Sequence, residues 1–310
     1  MKILLLGKDG QVGWDLQRTL EPLGDLVALG RAGLDLTDQD SIRRRIREQN
    51  PRIIVNAAAY TAVDRAETDQ ETAMAVNGIA PGVLAEEARR LGALLIHYST
   101  DYVFDGSKTG AYDEDDIPSP INTYGATKLA GERAIEEAGG LYLIFRTSWV
   151  YSHRGQNFLL KILQLARQRD RLTIVADQIG APTSSHSIAR ATADICSLQL
   201  GLGNTADDGT LAERARNYTG IYHMSASGQT SWFGFAQAIF GEALRLRLPG
   251  IIPSLEIVPV TSEEYPAAAP RPKNSILSNS KLNEFAGTKV ADWSRAIPGV
   301  LGMVGGNSQA

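Results

Sequence analysis

Short apolar runs alternate with amphipathic stretches through the first half of the chain. The runs at 3–6, 25–29, 51–55, 93–98 and 141–145 are rich in Leu, Ile and Val, the pattern of strands buried on both faces. Between them, 14–20, 37–48, 64–77, 81–91 and the stretch from Tyr124 read as helices. Strands alternating with helices predict a parallel sheet wrapped on both faces, an α/β fold of the Rossmann-like, doubly wound kind. Beyond Tyr151 the alternation loosens: 157–166 and 233–246 read as helices, 172–175 and 221–224 as strands. The Gly/Asp-rich stretch 201–216 reads as a mobile insertion, and 305–310 as a frayed end.

In such a sheet ligands belong at the C-terminal ends of the strands. The first strand runs into Gly7-Lys-Asp-Gly10-Gln-Val-Gly13 and then a helix. Glycines there let the backbone turn tightly and approach a pyrophosphate, whose charge suits a helix N-terminus. The second strand ends at Gly30-Arg31 where an acidic residue would bind ribose hydroxyls. An arginine pairs with a 2′-phosphate, so the expected cofactor is NADPH, with NADH as the alternative. Asp35-Leu36 would flank the adenine, and the small residues of Asn56-Ala-Ala-Ala-Tyr-Thr61 leave room for ribose and pyrophosphate. Asn77 reads as a support for the active-site strand. Residues 1–150 are therefore expected to form a dinucleotide-binding domain to which the chain returns at 172–200 and 220–228. Residues 151–310 would build mainly a smaller C-terminal substrate-binding lobe.

Tyr124-Gly-Ala-Thr-Lys128 places a phenol and an amine one helical turn apart. Ser99-Thr100 closes the fourth strand, where a hydroxyl can face that helix. A nearby ammonium favours the phenolate, so Lys128 is expected to lower the Tyr124 pKa toward working pH. Composition narrows the classes without adding chemistry. With 310 residues, 43% hydrophobic and 21% charged, the chain is an ordinary globular one, and a net charge of −4 advertises neither nucleic acid nor an anionic membrane. Its single cysteine excludes an intrachain disulfide framework, and four scattered histidines show no metal-ligand spacing. The run at 2–7 reads as a first strand rather than a leader, and a cytoplasmic enzyme is expected.

Six stretches in order resemble the extended short-chain dehydrogenase/reductases, and within them the dTDP-4-dehydrorhamnose reductase family. They are Gly7 to Gly13, Val55-Asn-Ala-Ala-Ala-Tyr-Thr-Ala-Val-Asp64 and His97-Tyr-Ser-Thr-Asp-Tyr-Val-Phe104, then Tyr124 to Glu132, Phe145-Arg-Thr-Ser-Trp-Val-Tyr151 and Asp177-Gln-Ile-Gly-Ala-Pro-Thr183. The resemblance implies NADPH-dependent reduction of a dTDP-linked 4-keto-6-deoxyhexose to dTDP-L-rhamnose. It implies Tyr124 as proton donor, Lys128 as holder of the nicotinamide ribose, and Thr100 as a hydrogen-bond partner of the reacting oxygen. Gly10, Gln11, Val12, Asp35, Leu36, Ala59, Tyr60, Thr61 and Tyr98 fall on cofactor-contact positions. Asp101 and Trp149 would line the sugar pocket; Asn157 and the segment around Arg271 are candidates for the nucleotide and diphosphate. Some members hold magnesium at a dimer interface with an acidic cluster. His186 stands near such a position here, so no essential metal is expected and a homodimer stays open. Two alternatives remain: a nucleotide-sugar epimerase or dehydratase, against which Asp101-Tyr102 argues because a dehydratase needs an acid/base pair there, and a non-catalytic subunit like that regulating methionine adenosyltransferase.

Overall fold

A computed structural model describes residues 1–202, 208–287 and 289–306. Strands β1 (Lys2–Leu6), β2 (Asp25–Leu29), β3 (Ile53–Asn56), β4 (Leu94–Thr100) and β5 (Leu141–Thr147) follow one another in one sheet. Strand β6 (Arg171–Val175) lies outside it, and β7 (Gly220–His223) completes it at the edge beside β5. The order is β2-β1-β3-β4-β5-β7, with every pairing parallel. From β1 the chain first moves outward to β2 and then returns to β3 on the other side. That reversal opens a crevice beyond the C-terminal ends of β1 and β3.

Both sheet faces are covered, which is why the strands read as continuous apolar runs. Ile3, Leu5, Ile53, Val55, Leu94 and Ile96 pack toward α1 (Gln11–Leu20) and, further on, Ile188 and Ala189. Leu4, Leu6, Ile54, Leu95 and Ile144 face the other way. They meet α2 (Gln39–Gln49) through Ile42 and Ile46, α3 (Ala80–Leu91) through Val83 and Leu84, and α4 (Thr123–Ala138) through Ile135. A second core gathers α5 (Phe158–Leu165) and later elements around Phe235, Ile239, Val300 and Leu301.

The segments after Tyr151 divide between these cores. Strand β6 pairs with β8 (Glu256–Val260) away from the main sheet, while α6 (Ser185–Asp194) packs on α1 and the sheet face. Of the stretch read as a mobile insertion, 208–216 belongs to helix α7 (Asp208–Tyr218), whose Leu211 and Ala215 join the first core; 203–207 lie outside the described residues. Helix α8 (Trp232–Arg245) and α9 (Ile297–Gly306) close the second core, and the end read as frayed is helical through 306, with 307–310 outside the described residues. The predicted helix at 64–77 is broken into Val63–Ala66 and Gln70–Met74, followed by a π turn at Ala75–Ile79. A π turn displaces one residue from the helical face, often at a functional site, and here it carries the buried Asn77.

Candidate active site

A cleft of about 900 Å³ opens at the C-terminal ends of β1, β3 and β4, a volume at the upper end for small-molecule sites. One end is the glycine loop. Gly7 has φ +81°, and a Cβ there would stand 2.6 Å from the Ala58 nitrogen. Gly10 is the extended N-cap of α1, no side chain caps that helix, and its first turn holds no acid. Such uncapped N–H groups with the positive end of the helix dipole suit a phosphate. Gly10, Gln11 and Val12 line the cleft. Gly13 does not; any side chain there would run into the Gly7 carbonyl, so its part is to let α1 pack against the loop.

Arg31, exposed at the rim, lines the cleft with Asp35 and Leu36. The Thr37 backbone N–H and hydroxyl each donate to Asp35 at 2.9 Å, holding that carboxyl below its ordinary value. Ala59, Tyr60 and Thr61 form the facing wall. Asn77 clamps Tyr60 from both sides: the Tyr60 N–H donates to its Oδ1 at 2.8 Å and its Nδ2 donates to the Tyr60 carbonyl at 2.9 Å. The same Nδ2 reaches Thr127 Oγ1 on α4 at 3.2 Å, so one buried amide ties the wall to the Tyr124 helix.

Helix α4 starts at Asn122, whose side chain accepts the Gly125 N–H at 2.8 Å, and this cap sets where Tyr124 and Lys128 point. Both line the cleft with Tyr98, Thr100 and Asp101. Lys128 Nζ donates to the Tyr98 carbonyl at 2.7 Å and lies 3.0 Å from His97 Nε2. Burial pushes its amine down to about 8, against the pull of Glu132. Tyr98 therefore contributes its carbonyl, since its own hydroxyl is bound to Thr192 at 2.7 Å. The expected lowering of the Tyr124 pKa is not what the structure gives. Burial pushes the phenol up to about 12, with a Thr100 hydrogen bond opposing and the Asp101 charge adding to the rise. The amine of Lys128 is turned away to the Tyr98 carbonyl, so desolvation wins over attraction. A phenol held neutral is a proton donor.

Asp101 is buried beneath this group, and burial pushes its carboxyl up to about 6 against hydrogen bonds from Ser275, Thr100 and Ser148. Thr100 Oγ1 donates to Asp101 Oδ1 at 3.0 Å and accepts the Tyr102 N–H at 3.2 Å. Trp149 follows β5 with φ +46°, a left-handed backbone that non-glycine residues adopt at a cost. Its indole lines the cleft but is only 8% exposed, because Trp232 stacks on it with centroids 3.6 Å apart and planes 6° from parallel. Gly180 makes this possible: a Cβ there would lie 2.6 Å from Trp149 Cε2.

Besides Gly13, two expected contacts are not in the cleft. Asn157 caps α5 by accepting the Leu160 N–H at 3.1 Å, and its Nδ2 holds Gln11 Oε1 at 2.8 Å, so it braces the glycine loop from behind. Arg271 pairs with Asp64 at 2.9 Å and donates to the Ala269 carbonyl at 2.6 Å, which fastens the irregular segment beside the rim. Tyr102, whose ring packs edge-on against Tyr124 at 5.8 Å, and Trp232 line the cleft without having been singled out in the sequence. Among the described residues no three His, Cys, Asp or Glu side chains are grouped as a metal site, and no helix is long and apolar enough to cross a membrane.

The family model described as RmlD substrate binding domain matches residues 1–304. The chain is 48% identical to the dTDP-4-dehydrorhamnose reductase of Burkholderia thailandensis, over 96% of this chain and 97% of that one. It belongs to the dTDP-4-dehydrorhamnose reductase family. The family's member from Escherichia coli K12 is 41% identical over 97% of each chain. The crystal structure of a dTDP-4-dehydrorhamnose reductase from Bacillus anthracis in complex with NADP has a TM-score of 0.84 at 34% identity, covering 97% of this chain and 99% of that one. A Thermus thermophilus UDP-glucose 4-epimerase in complex with NAD, 18% identical with a TM-score of 0.78, shares the fold.

The packing of Gly180 beneath the indole is testable. Gly180→Ala should destabilise the protein by about 1–3 kcal/mol, the usual range for overpacking, and shift the tryptophan fluorescence as the Trp149–Trp232 stack opens. Unchanged unfolding and emission would mean that the indole yields without cost.

Proposed function

We propose that this chain reduces the 4-keto group of dTDP-4-dehydrorhamnose to give dTDP-L-rhamnose, using NADPH, in the cytoplasm. The observation that carries the reading is that Thr100, Tyr124 and Lys128 meet on the wall of the same cleft whose far end is the glycine loop and Arg31. The cofactor fits the residues present: Gly7 leaves the backbone bare beside Ala58, α1 offers uncapped N–H groups, and the Arg31 guanidinium at the cleft rim would suit a 2′-phosphate. Bound there, NADPH supplies the hydride that adds to C4 of the sugar.

The residues do the rest. Tyr124 gives its proton to the C4 oxygen as the hydride arrives, so C=O becomes CH–OH and the phenol is left as phenolate. Its raised pKa keeps the proton in place until an oxyanion develops beside it. Thr100 hydrogen-bonds the same oxygen by turning its one hydroxyl proton, which Asp101 holds beforehand, to the developing oxyanion. Lys128, beside the Tyr98 carbonyl, holds the nicotinamide ribose and returns a proton toward Tyr124. Trp149, backed by Trp232, forms a flat apolar wall for the sugar. The lobe around the second core closes the substrate side, and the dTDP-sugar is the partner this surface receives.

The direct test is NADPH oxidation with the 4-keto sugar nucleotide generated in place from its precursor. Sugar-dependent oxidation supports the reading; a purified protein that retains NAD and isomerises a nucleotide sugar without net oxidation would make it an epimerase. Tyr124→Phe keeps the ring and removes the proton, and turnover should fall roughly 10²–10⁴-fold with NADPH binding intact. More than about a third of wild-type turnover would take Tyr124 out of the proton-transfer step. If Arg31 meets the 2′-phosphate, Arg31→Ala should cost about 1.5–3 kcal/mol in NADPH affinity and leave NADH nearly unchanged. Equal losses for both cofactors would make Arg31 structural.

A further inference from the structure

His97 has no part in the reduction as described, yet it is 1% exposed and directly beneath Lys128. Three contacts form a line through it. The Ala58 N–H donates to Asn56 Oδ1 at 3.2 Å, Asn56 Nδ2 lies 3.1 Å from His97 Nδ1, and His97 Nε2 lies 3.0 Å from Lys128 Nζ. Chemistry fixes the direction of each. A backbone N–H only donates, so the Asn56 atom facing Ala58 is the oxygen and the amide nitrogen faces His97. An amide nitrogen only donates, so His97 Nδ1 accepts and the ring proton sits on Nε2. That proton points at Lys128 Nζ, which can receive it only through the lone pair of a neutral amine. A charged Lys128 needs the opposite wiring: a bare Nε2, a proton on Nδ1, and an Asn56 amide turned so that its oxygen faces the ring. The Ala58 N–H then faces a second donor and loses its partner.

We propose that Asn56 and His97 form a tautomer relay that sets the charge state of Lys128 and ties it to the loop Ala57–Tyr60 on the cofactor side of the cleft. His97 is a positioning residue: it acts through Lys128 and touches neither sugar nor cofactor. The relay deepens the proposed reduction, which needs a lysine able to pass a proton toward Tyr124, but the wiring itself is a property of the protein alone.

The surroundings leave this line as the route of coupling. From α4, His97 faces Lys128, and one turn on is Glu132, already paired with Arg146 of β5 through Oε2 and Nη2 at 2.7 Å. From β3 it faces Asn56, and its register neighbour on β5 is Ile144. On its own strand the neighbouring polar group is the Tyr98 carbonyl, which accepts from Lys128. Asp101, past the strand end, is engaged by Ser275, Thr100 and Ser148. Burial and the Lys128 charge hold the imidazole far below its ordinary pKa, so His97 stays neutral and changes only which nitrogen carries the proton.

Nitrogen NMR on ¹⁵N-histidine-labelled protein reads this directly, with the His97 signals assigned by their loss in His97→Gln. Between about pH 6 and about pH 9.5 the relay predicts a neutral ring throughout. It should pass from the Nδ1–H to the Nε2–H form as Lys128 loses its proton near 8. Asn56→Asp still accepts from Ala58 and can only accept from His97, so it should hold the Nδ1–H form across the range. The same variant should move the limb of the kcat–pH profile that reports Lys128 upward by at least one pH unit, a tenfold change in proton affinity. A wild-type ring that keeps one tautomer at every pH, or that becomes imidazolium, overturns the relay whether or not the variant folds. So does a folded Asn56→Asp whose profile overlays the wild type. Neither NMR outcome depends on the identity of the sugar, so the relay and the proposed reduction fail separately.

Discussion

The burial of the Lys128 amine is the constraint on which the site depends. An amine taken out of water must find partners from the protein, and here they are the Tyr98 carbonyl and His97. Those partners exist only because β4 ends where it does beside β3 and α4 lies across it. The apolar faces of the sheet make that arrangement rigid, with Leu95 and Ile144 against α4 on the same side as His97. Packing therefore does chemical work: it presses Lys128 down toward working pH and keeps Tyr124 protonated.

Desolvation is the larger effect on the titratable groups around Tyr124. It raises Tyr124 and Asp101 and lowers Lys128 and His97, each toward its neutral form. A reductase gains from this. The proton donor must be protonated before hydride addition, and burial keeps Tyr124 so. A phenolate stabilised in advance would suit the reverse, oxidative direction.

Much of this was legible in the sequence. The glycine loop, the Tyr124–Lys128 spacing and Thr100 at a strand end are local patterns, and local patterns survive without coordinates. The sheet followed from alternating apolar runs because a strand covered on both faces has no polar side. What could not be read were pairings across long separations. Arg271 looked free to meet a phosphate because nothing near it in sequence reveals Asp64, 207 positions away. Asn157 looked like a ligand contact, but its partner is Gln11, 146 positions back. The run at 172–175 announced a strand without announcing that its neighbour would be β8 rather than the main sheet. The pKa of Tyr124 was misjudged for a related reason: spacing gives the distance to Lys128 but not the depth of burial. Trp149 was placed at the cleft by its position after β5, while the Trp232 stack and the space left by Gly180 required the fold.

In the proposed reaction, hydride and proton are delivered to one carbonyl in this cleft. The most direct measurement follows the hydride: run the reaction with NADPH carrying deuterium at the transferred position of the nicotinamide and examine the sugar nucleotide by mass spectrometry and NMR. One deuterium is expected, bound to C4 of the product sugar. Consumption of the deuterated cofactor with none at C4, or label at another carbon, would contradict it.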